Sequence, residues 1–280
     1  MSISAAKENF LTRAHRLGLA HSQVDTLMEQ NIRIVHDSAS DHIELAFAVQ
    51  NMLSRSFTSV ELGEAGEDTS VLIVIGDAPA RAGLKACYAQ LLGDRAVFVP
   101  SSKRLEESST PYPLILLAAC YLASNCVREL IPGVADGHTV KELVWDEISP
   151  GVVARLVHPV DLGHAVLVGA GAIGNSFCWA LGGMNVEGIL DIIDDDIVSA
   201  GNLNRNVLHT NDHLLTPTPK AIVLQRYLET KCENLVVNAY IERFESFAAK
   251  RASDGSAQRC LADAWWSDEA ENRPVDPLDE

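Results

Sequence analysis

The sequence predicts an α/β fold with a mainly parallel sheet flanked by helices, and three observations carry that expectation. Apolar runs rich in Val and Ile (Ile32 to Val35, Val71 to Ile75, Val166 to Val168, Ile189 to Ile193) alternate with stretches of helical spacing. A glycine-rich turn, Gly169-Ala170-Gly171-Ala172-Ile173-Gly174, separates one such run from the next amphipathic stretch. A hydrophobic content of 47% over 280 residues supplies a sizeable core, enough for one large domain or two small ones.

Residues 5 to 29 have the apolar spacing of one or two helices, with Phe10, Leu11, Leu17, Leu19, Val24, Leu27 and Met28 facing inward. Ile32 to Val35, the amphipathic stretch through Ile43, Leu45, Phe47, Val49 and Leu53, and Val60 to Leu62 form a β-α-β pattern. Val71 to Ile75 reads as a buried strand, Leu84 to Leu92 as a helix, Ala96 to Val99 as a short strand and Leu114 to Ile131 as a buried helix. Prolines, glycines and polar residues punctuate 133 to 163, with Pro150-Gly151 and His158-Pro159 as candidate breaks. A second β-α-β pattern then runs from the strand Val166 to Val168 through the glycine turn and the helix Asn175 to Leu181 to the strand Ile189 to Ile193. A further strand is expected at Leu235 to Tyr240, and beyond Phe247 the chain turns polar and acidic without strand-helix periodicity. The expected domains are 1–150, 151–250 and an acidic tail, 251–280.

The two β-α-β units align at an offset of about 133 residues, which suggests an internal repeat. His36, Ser38 and Asp41 then stand where the second unit has Gly169, Gly171 and Gly174. A carboxylate at the third place carries the wrong charge for a phosphate, so the first half reads as a degenerate copy. Shared periodicity of any two such units is the competing explanation.

A net charge of -16 opposes non-specific contact with nucleic acid or an anionic membrane. The run Leu114 to Ala123 is too short to span a bilayer, and the opening MSISAAKENF does not resemble a secretory leader. Cys87, Cys120, Cys126, Cys178, Cys232 and Cys260 include no CxxC pair, so neither zinc nor a disulfide framework is indicated. An acidic cytoplasmic protein is expected.

The glycine turn carries the first chemistry. Gly169 permits the tight turn, Gly171 lets backbone approach phosphate oxygens and Gly174 permits close helix-strand packing. Backbone N–H groups, Ala170 among them, and the helix dipole supply the attraction. Asp194 ends the second strand twenty positions after Gly174, where a carboxylate accepts hydrogen bonds from ribose hydroxyls. These features make the fold Rossmann-like and fit ATP, NAD or FAD equally; a tight turn without a ligand is the plain alternative.

The residues after the second strand narrow the choice. Asp194-Asp195-Asp196-Ile197-Val198 and Asn202-Leu203-Asn204-Arg205 resemble the DxDxV…NLxRQ signature of the E1-like ThiF/MoeB/HesA family, with Asn206 in place of glutamine. The resemblance covers Val166 to Lys220 and more loosely Leu235 to Tyr240. It implies a Rossmann-type domain that binds ATP and attaches AMP to the C-terminal carboxylate of a ubiquitin-like or sulfur-carrier protein. Asp194 would hold the ribose, Asp196 of the same signature would belong to the nucleotide site, Asn202 and Arg205 would contact phosphates, and Lys220 would be the lysine of a D-x-G-x-x-K segment that here reads DHLLTPTPK. Arg205 and Lys220 are the catalytic candidates. Asp268, in Ser267-Asp268-Glu269 with Arg273, resembles the family's magnesium-holding aspartate, with Asp263 as its substitute. Arg13 or Arg16 would be an arginine lent to a partner site, in a dimer or an intrachain pseudo-dimer.

Three readings of the sequence stay open. The first is an ATP-dependent adenylating enzyme, and the second a non-catalytic or truncated nucleotide-binding relative that serves as a scaffold. The third is an NAD- or FAD-dependent oxidoreductase, disfavoured because hydride transfer needs no arginine for phosphate after the second strand. Arg205 as a surface ion pair, Lys220 as a solvated loop lysine and Cys260 as an incidental thiol are the bland assignments.

Overall fold

The computed structural model describes residues 20–100, 110–131, 140–148, 159–203 and 205–253. Among them, two separate sheets form. The first has strands β1 (Asn31–His36), β2 (Ser59–Leu62), β3 (Val71–Ile75), β4 (Lys85–Leu91), β5 (Arg95–Val97) and β6 (Glu142–Val144), in the order β2-β1-β3-β4-β5-β6. β1 to β4 are parallel, and β5 and β6 join antiparallel. The second holds β7 (Val160–Val168), β8 (Val186–Ile193) and β9 (Leu235–Tyr240), all parallel, with β8 central. The α/β class expected from the alternating pattern is the class found.

In the first half, α1 (His21–Met28) precedes β1, α2 (Ser40–Leu53) connects β1 to β2, and α3 (Tyr112–Leu130) crosses back over the sheet. Leu45 and Val49 of α2 and Leu114, Ala118 and Leu122 of α3 share one core with Ile32, Ile34, Ile73 and Ile75. At roughly 25 cal/mol per Å² of apolar area removed from water, such side chains contribute about 1.5–3 kcal/mol each. β3 is buried along its whole length because Val35, Leu72 and Val74 form a second cluster on its other face. α3 is long and apolar enough by composition to cross a membrane, yet here its apolar stripe faces the sheet and α2. The short α4 (Trp145–Ile148) follows β6.

In the second half, α5 (Ala172–Leu181) connects β7 to β8, and α6 (Asp212–Leu215) and α7 (Lys220–Lys231) precede β9. Leu181 of α5 and Leu224 and Leu228 of α7 bury against Leu190, Ile192 and Val237. α8 (Phe244–Ser253) returns after β9, where Phe247 stacks edge-on against Tyr240 at 4.7 Å. Asp191, fully buried in β8, accepts from Asn238 Nδ2 at 2.8 Å, lies 2.8 Å from His164 Nε2, and pairs with Arg251 of α8. One carboxylate thus ties β7, β8, β9 and α8 together.

Five expectations change. Leu84 to Leu92 is a strand, not a helix: Cys87, Ala89 and Leu91 are buried at every second position, and pairing with β3 overrides the helix preference of Ala, Gln and Leu. β6 lies inside the stretch read as a boundary and completes the first sheet. α5 begins at Ala172, inside the glycine turn, and β7 begins at Val160, with a register shift between Asp161 and His164 beside Gly163, whose φ is 57°. Beyond Phe247, helix continues to Ser253.

Both halves open with β-α-β, then diverge. β3 pairs on the far side of β1, whereas β9 extends the sheet from β8. α2 has 14 residues and α5 has 10, so Asn31 faces Ser59 while His164 faces Ile189. A constant offset therefore aligns the first strands but not the second.

In the first sheet the strand order reverses between β1 and β3, the position at which doubly wound sheets take ligands. Asp37 occupies it. Its Oδ1 accepts from the Ala39 N–H at 3.0 Å and lies 2.8 Å from His42 Nδ1, and its Oδ2 accepts from the Asp77 N–H at 2.9 Å. Burial raises the pKa of Asp37, but the two N–H bonds and His42 outweigh it and hold the carboxyl below its usual value. A Cβ on Gly76 would stand 2.1 Å from Asp37 Oδ2. Asp41 is engaged too, accepting from the Thr110 N–H at 2.6 Å. The crevice is filled by the protein's own carboxylate and imidazole.

The halves meet where Trp179 and Ala180 of α5 pack on the first core, and where Gly183 lies against Tyr112 so closely that a Cβ would stand 2.1 Å from the ring. A second junction runs from Arg55, just past α2, to the loop after Leu203.

Candidate functional site

The glycine turn joins the C-terminal end of β7 to α5. Gly169 adopts φ 90°, where a side chain is strained, and its N–H donates to Ile193 O at 2.8 Å, fixing the turn to β8. Gly171 is the N-cap of α5 with no side-chain cap, and a Cβ there would meet no atom within 4 Å. Gly174 is opposite in kind: its Cβ would stand 2.1 Å from Gly169 O. The first-turn N–H groups of α5 therefore lack capping side chains and open past Gly171, the arrangement that takes an anion.

Asp194 follows β8 directly. Its Oδ2 accepts from the Ala170 N–H at 2.6 Å and its Oδ1 from the Asp196 N–H at 2.9 Å. The carboxylate thus braces the glycine turn, and since a carboxylate offers about four acceptor positions, two remain for hydroxyls. Asp195 pairs with Arg243 at 3.2 Å on the surface. Asp196 Oδ2 lies 2.6 Å from Lys220 Nζ, and Asp196 O accepts from the Lys220 N–H at 3.0 Å. Lys220 is therefore buried at the start of α7, not solvated in a loop, and the segment from Asp196 to Val198 is pinned to 218–220 by main-chain bonds.

Asn202 is buried and its Oδ1 accepts from both the N–H and the hydroxyl of Ser199 at 2.9 Å. It caps the 3₁₀ turn Ala200–Asn202 that presents the following residues. Arg205 is exposed, and its N–H donates to Asn202 O at 3.1 Å. Asn206 is fully buried, with Nδ2 3.0 Å from His209 Nδ1. Burial, then the nearby charges of His213, Lys220 and Arg55, push the His209 pKa down to about 4.

Two side chains that sequence reasoning passed over hold this loop. Asn175, in the first turn of α5, accepts the Leu208 N–H at 2.8 Å and so seats the Arg205 loop against the glycine turn. Its only signal was its place directly after Gly174. Arg55 donates to the carbonyls of Leu203 (2.6 Å), Asn206 (2.9 Å), His209 (3.5 Å) and Val207. Nothing in the sequence marks it. Asn175 Nδ2, Asn206 Oδ1 and His209 Nε2 are buried without a partner among the described residues.

The structure thus brings Gly169, Ala170, Gly171, Gly174, Asp194, Asp196, Asn202, Arg205 and Lys220 to one end of the second sheet. Among the described residues no group of three His, Cys, Asp or Glu side chains is placed to hold a metal. Asp268, Asp263, Cys260, Arg13 and Arg16 lie outside the described residues.

Comparison with known proteins respects the same division. The family model for the ThiF family matches residues 160–263, and that for the E1 N-terminal domain matches residues 1–136. The SAMP-activating enzyme E1 of Haloferax volcanii is 35% identical over 77 residues, 28% of this chain and 27% of that protein. An uncharacterized protein, y4jF, of Sinorhizobium fredii is 47% identical over 106 residues, 32% of this chain and 19% of that protein. The matched part thus spans about a quarter or less of these curated relatives. The crystal structure of Escherichia coli MccB with succinimide aligns over 56% of this chain and 54% of that chain, at 18% identity and a TM-score of 0.27. The two family models fall on the two halves, and the second contains the glycine turn and the Asn202–Arg205 cluster: the chain belongs to the E1-like ThiF family.

Proposed function

We propose that the second half binds ATP and transfers AMP to the C-terminal carboxylate of a ubiquitin-like or sulfur-carrier protein. The carrying observation is a pair of hydrogen bonds: Asp194 to the Ala170 N–H, and Asn175 to the Leu208 N–H. Together they tie Asp194, the candidate for the ribose, and the Arg205 loop to the start of a helix that has no capping side chain. Family membership supports ATP as the nucleotide, and the curated relative that activates a SAMP supports a carrier as acceptor.

In the step proposed, a carboxylate oxygen of the carrier attacks the α-phosphorus. The bond from that phosphorus to the β-phosphate bridging oxygen breaks, which yields the acyl-adenylate and pyrophosphate. Negative charge accumulates, and a chain of net charge -16 must meet it with local cations. Arg205, exposed beside the capped turn, is the candidate for the phosphates, and Lys220 reaches them by exchanging its bond to Asp196. The α5 N-terminus holds phosphate oxygens through main-chain N–H groups. Magnesium is expected to share this charge, with Asp268 or Asp263 as the proposed ligand. We place the protein in the cytoplasm, acting as a dimer or as an intrachain pseudo-dimer with the first half as the inactive member.

A second reading, nucleotide binding without turnover, is favoured by one observation: the amine of Lys220 is already paired with Asp196. Exchange of labelled pyrophosphate into ATP, with candidate carrier proteins present, separates the two. Exchange is expected, and Arg205→Ala is expected to abolish it with an unshifted melting temperature. ATP binding with no exchange selects the second reading, and tight NADH binding without ATP binding sinks both.

A further inference from the structure

One side chain of the first half, Arg55, reaches the loop of the second half that carries Arg205. The described residues of this loop, Leu203 and 205–209, form turns and no regular ladder, so their arrangement depends on side chains that reach them from elsewhere. Asn175 is one. The other is Arg55, whose guanidinium reaches four main-chain carbonyls across the junction between halves. Asn51, one turn earlier on α2, holds that guanidinium through Oδ1, which accepts from Nε at 3.2 Å and from Nη2 at 3.1 Å.

Arg55 is half-buried, and a cation drawn out of water to that extent usually pairs with a carboxylate, because the desolvation is costly. Among the described residues Arg55 has none; carbonyl dipoles take that role, and burial pushes its pKa down to about 10. The rigid fork of five donors suits this task, and a lysine ammonium, with three donors at one point, does not. The loop so held carries Arg205 and is tied to the helix that leaves the glycine turn by one hydrogen bond, from the Leu208 N–H to Asn175 Oδ1.

We propose that Arg55 is a positioning residue: from the first half it gathers the carbonyls of Leu203, Asn206, Val207 and His209 and fixes the turn that sets Arg205 for the nucleotide. The first half, its own crevice filled by Asp37 and His42, thereby serves the site of the second. The nucleotide part of this proposal rests on the adenylation reading; the ordering of the loop does not.

The experiment is hydrogen exchange at the amides of 203–209 in the whole chain, alongside ATP binding by calorimetry, for wild type, Arg55→Met, Arg55→Lys and Asn51→Ala. Arg55→Met is expected to strip protection from 203–209 while leaving β8 and β9 protected, and to weaken ATP binding roughly 10- to 100-fold, as misplacement of a binding group does. Arg55→Lys keeps the charge and is expected to rescue neither. Asn51→Ala, which keeps the arginine and removes its strut, is expected to lie between and serves if Arg55→Met fails to fold. Unchanged protection at 203–209 in both Arg55→Met and Asn51→Ala overturns the proposal, as does full ATP affinity in Arg55→Lys. Should the wild type bind no ATP, the adenylation reading falls, and Arg55 stands or falls on exchange at 203–209.

Discussion

Three glycines in one turn should fail in three different ways when given a methyl group. At Gly174 the added Cβ would lie 2.1 Å from Gly169 O, 3.2 Å from Gly169 C and 3.6 Å from Leu167 Cδ2. A carbon and a carbonyl oxygen rest at about 3.3 Å or more, so main chain must move by roughly 1 Å, and overpacking of this kind costs about 1–3 kcal/mol. At about 2–4 °C per kcal/mol for a chain of this size class, Gly174→Ala should melt about 5 °C lower. Gly171 has φ -73° and open space around its Cβ position. Gly171→Ala should therefore keep its melting temperature, or gain up to about 1 kcal/mol through the unfolded chain. It should nonetheless lose at least about 10-fold in ATP affinity, because the methyl fills the space where phosphate approaches. Gly169→Ala, at φ 90° with nothing near, should cost only backbone strain, about 1–2 kcal/mol. Scanning calorimetry and ATP titration of the three variants read both quantities. Wild-type ATP affinity in Gly171→Ala would refute the reasoning, as would a Gly171→Ala melting temperature as low as that of Gly174→Ala.

Two further outcomes concern buried groups. Asp191→Ala should cost about 1–3 kcal/mol in urea denaturation, since it removes the hydrogen-bonding carboxylate that joins Asn238, His164 and Arg251, and α8 should lose amide protection first because Arg251 latches it to Asp191. His209, with its pKa lowered from 6.5 to about 4, makes stability fall as pH drops between those values: the unfolded chain takes up a proton there that the folded chain refuses. His209→Gln should flatten that fall, measured as the difference in melting temperature between about pH 7 and about pH 5; an equally steep fall in the variant would assign the effect to other groups.

The parts of the site legible in the sequence are those whose chemistry is local. Gly169 and Gly174 are dictated by a backbone angle and a backbone contact within a six-residue turn, and Asp194 by its place at the end of a strand. Lys220 was legible only through a resemblance missing its glycine, yet the structure seats it at the start of α7 against Asp196. Asn202, read from the resemblance as a phosphate contact, commits its side-chain oxygen to Ser199, a capping role that Ser-x-x-Asn spacing also permits and that does not draw on Nδ2, the donor a phosphate would need. Arg55 was invisible because its partners are main-chain carbonyls far along the chain, which no spacing encodes. In the fold, β3 and β9 were legible as apolar runs, while β4 was not: Ala, Gln and Leu serve a helix and a covered strand alike, and only pairing with β3 decides.

That Arg55 bonds to main chain and not to side chains has a consequence for how this protein can vary. Carbonyl oxygens at 203, 206, 207 and 209 are the same whatever residues stand there, so the contact places no demand on identity at Val207, which is only partly buried. The demand falls wholly on the arginine. In a library of all single substitutions, position 55 should be nearly monomorphic among functional clones while position 207 drifts freely, and pairwise covariation between the two halves should fail to report this polar junction.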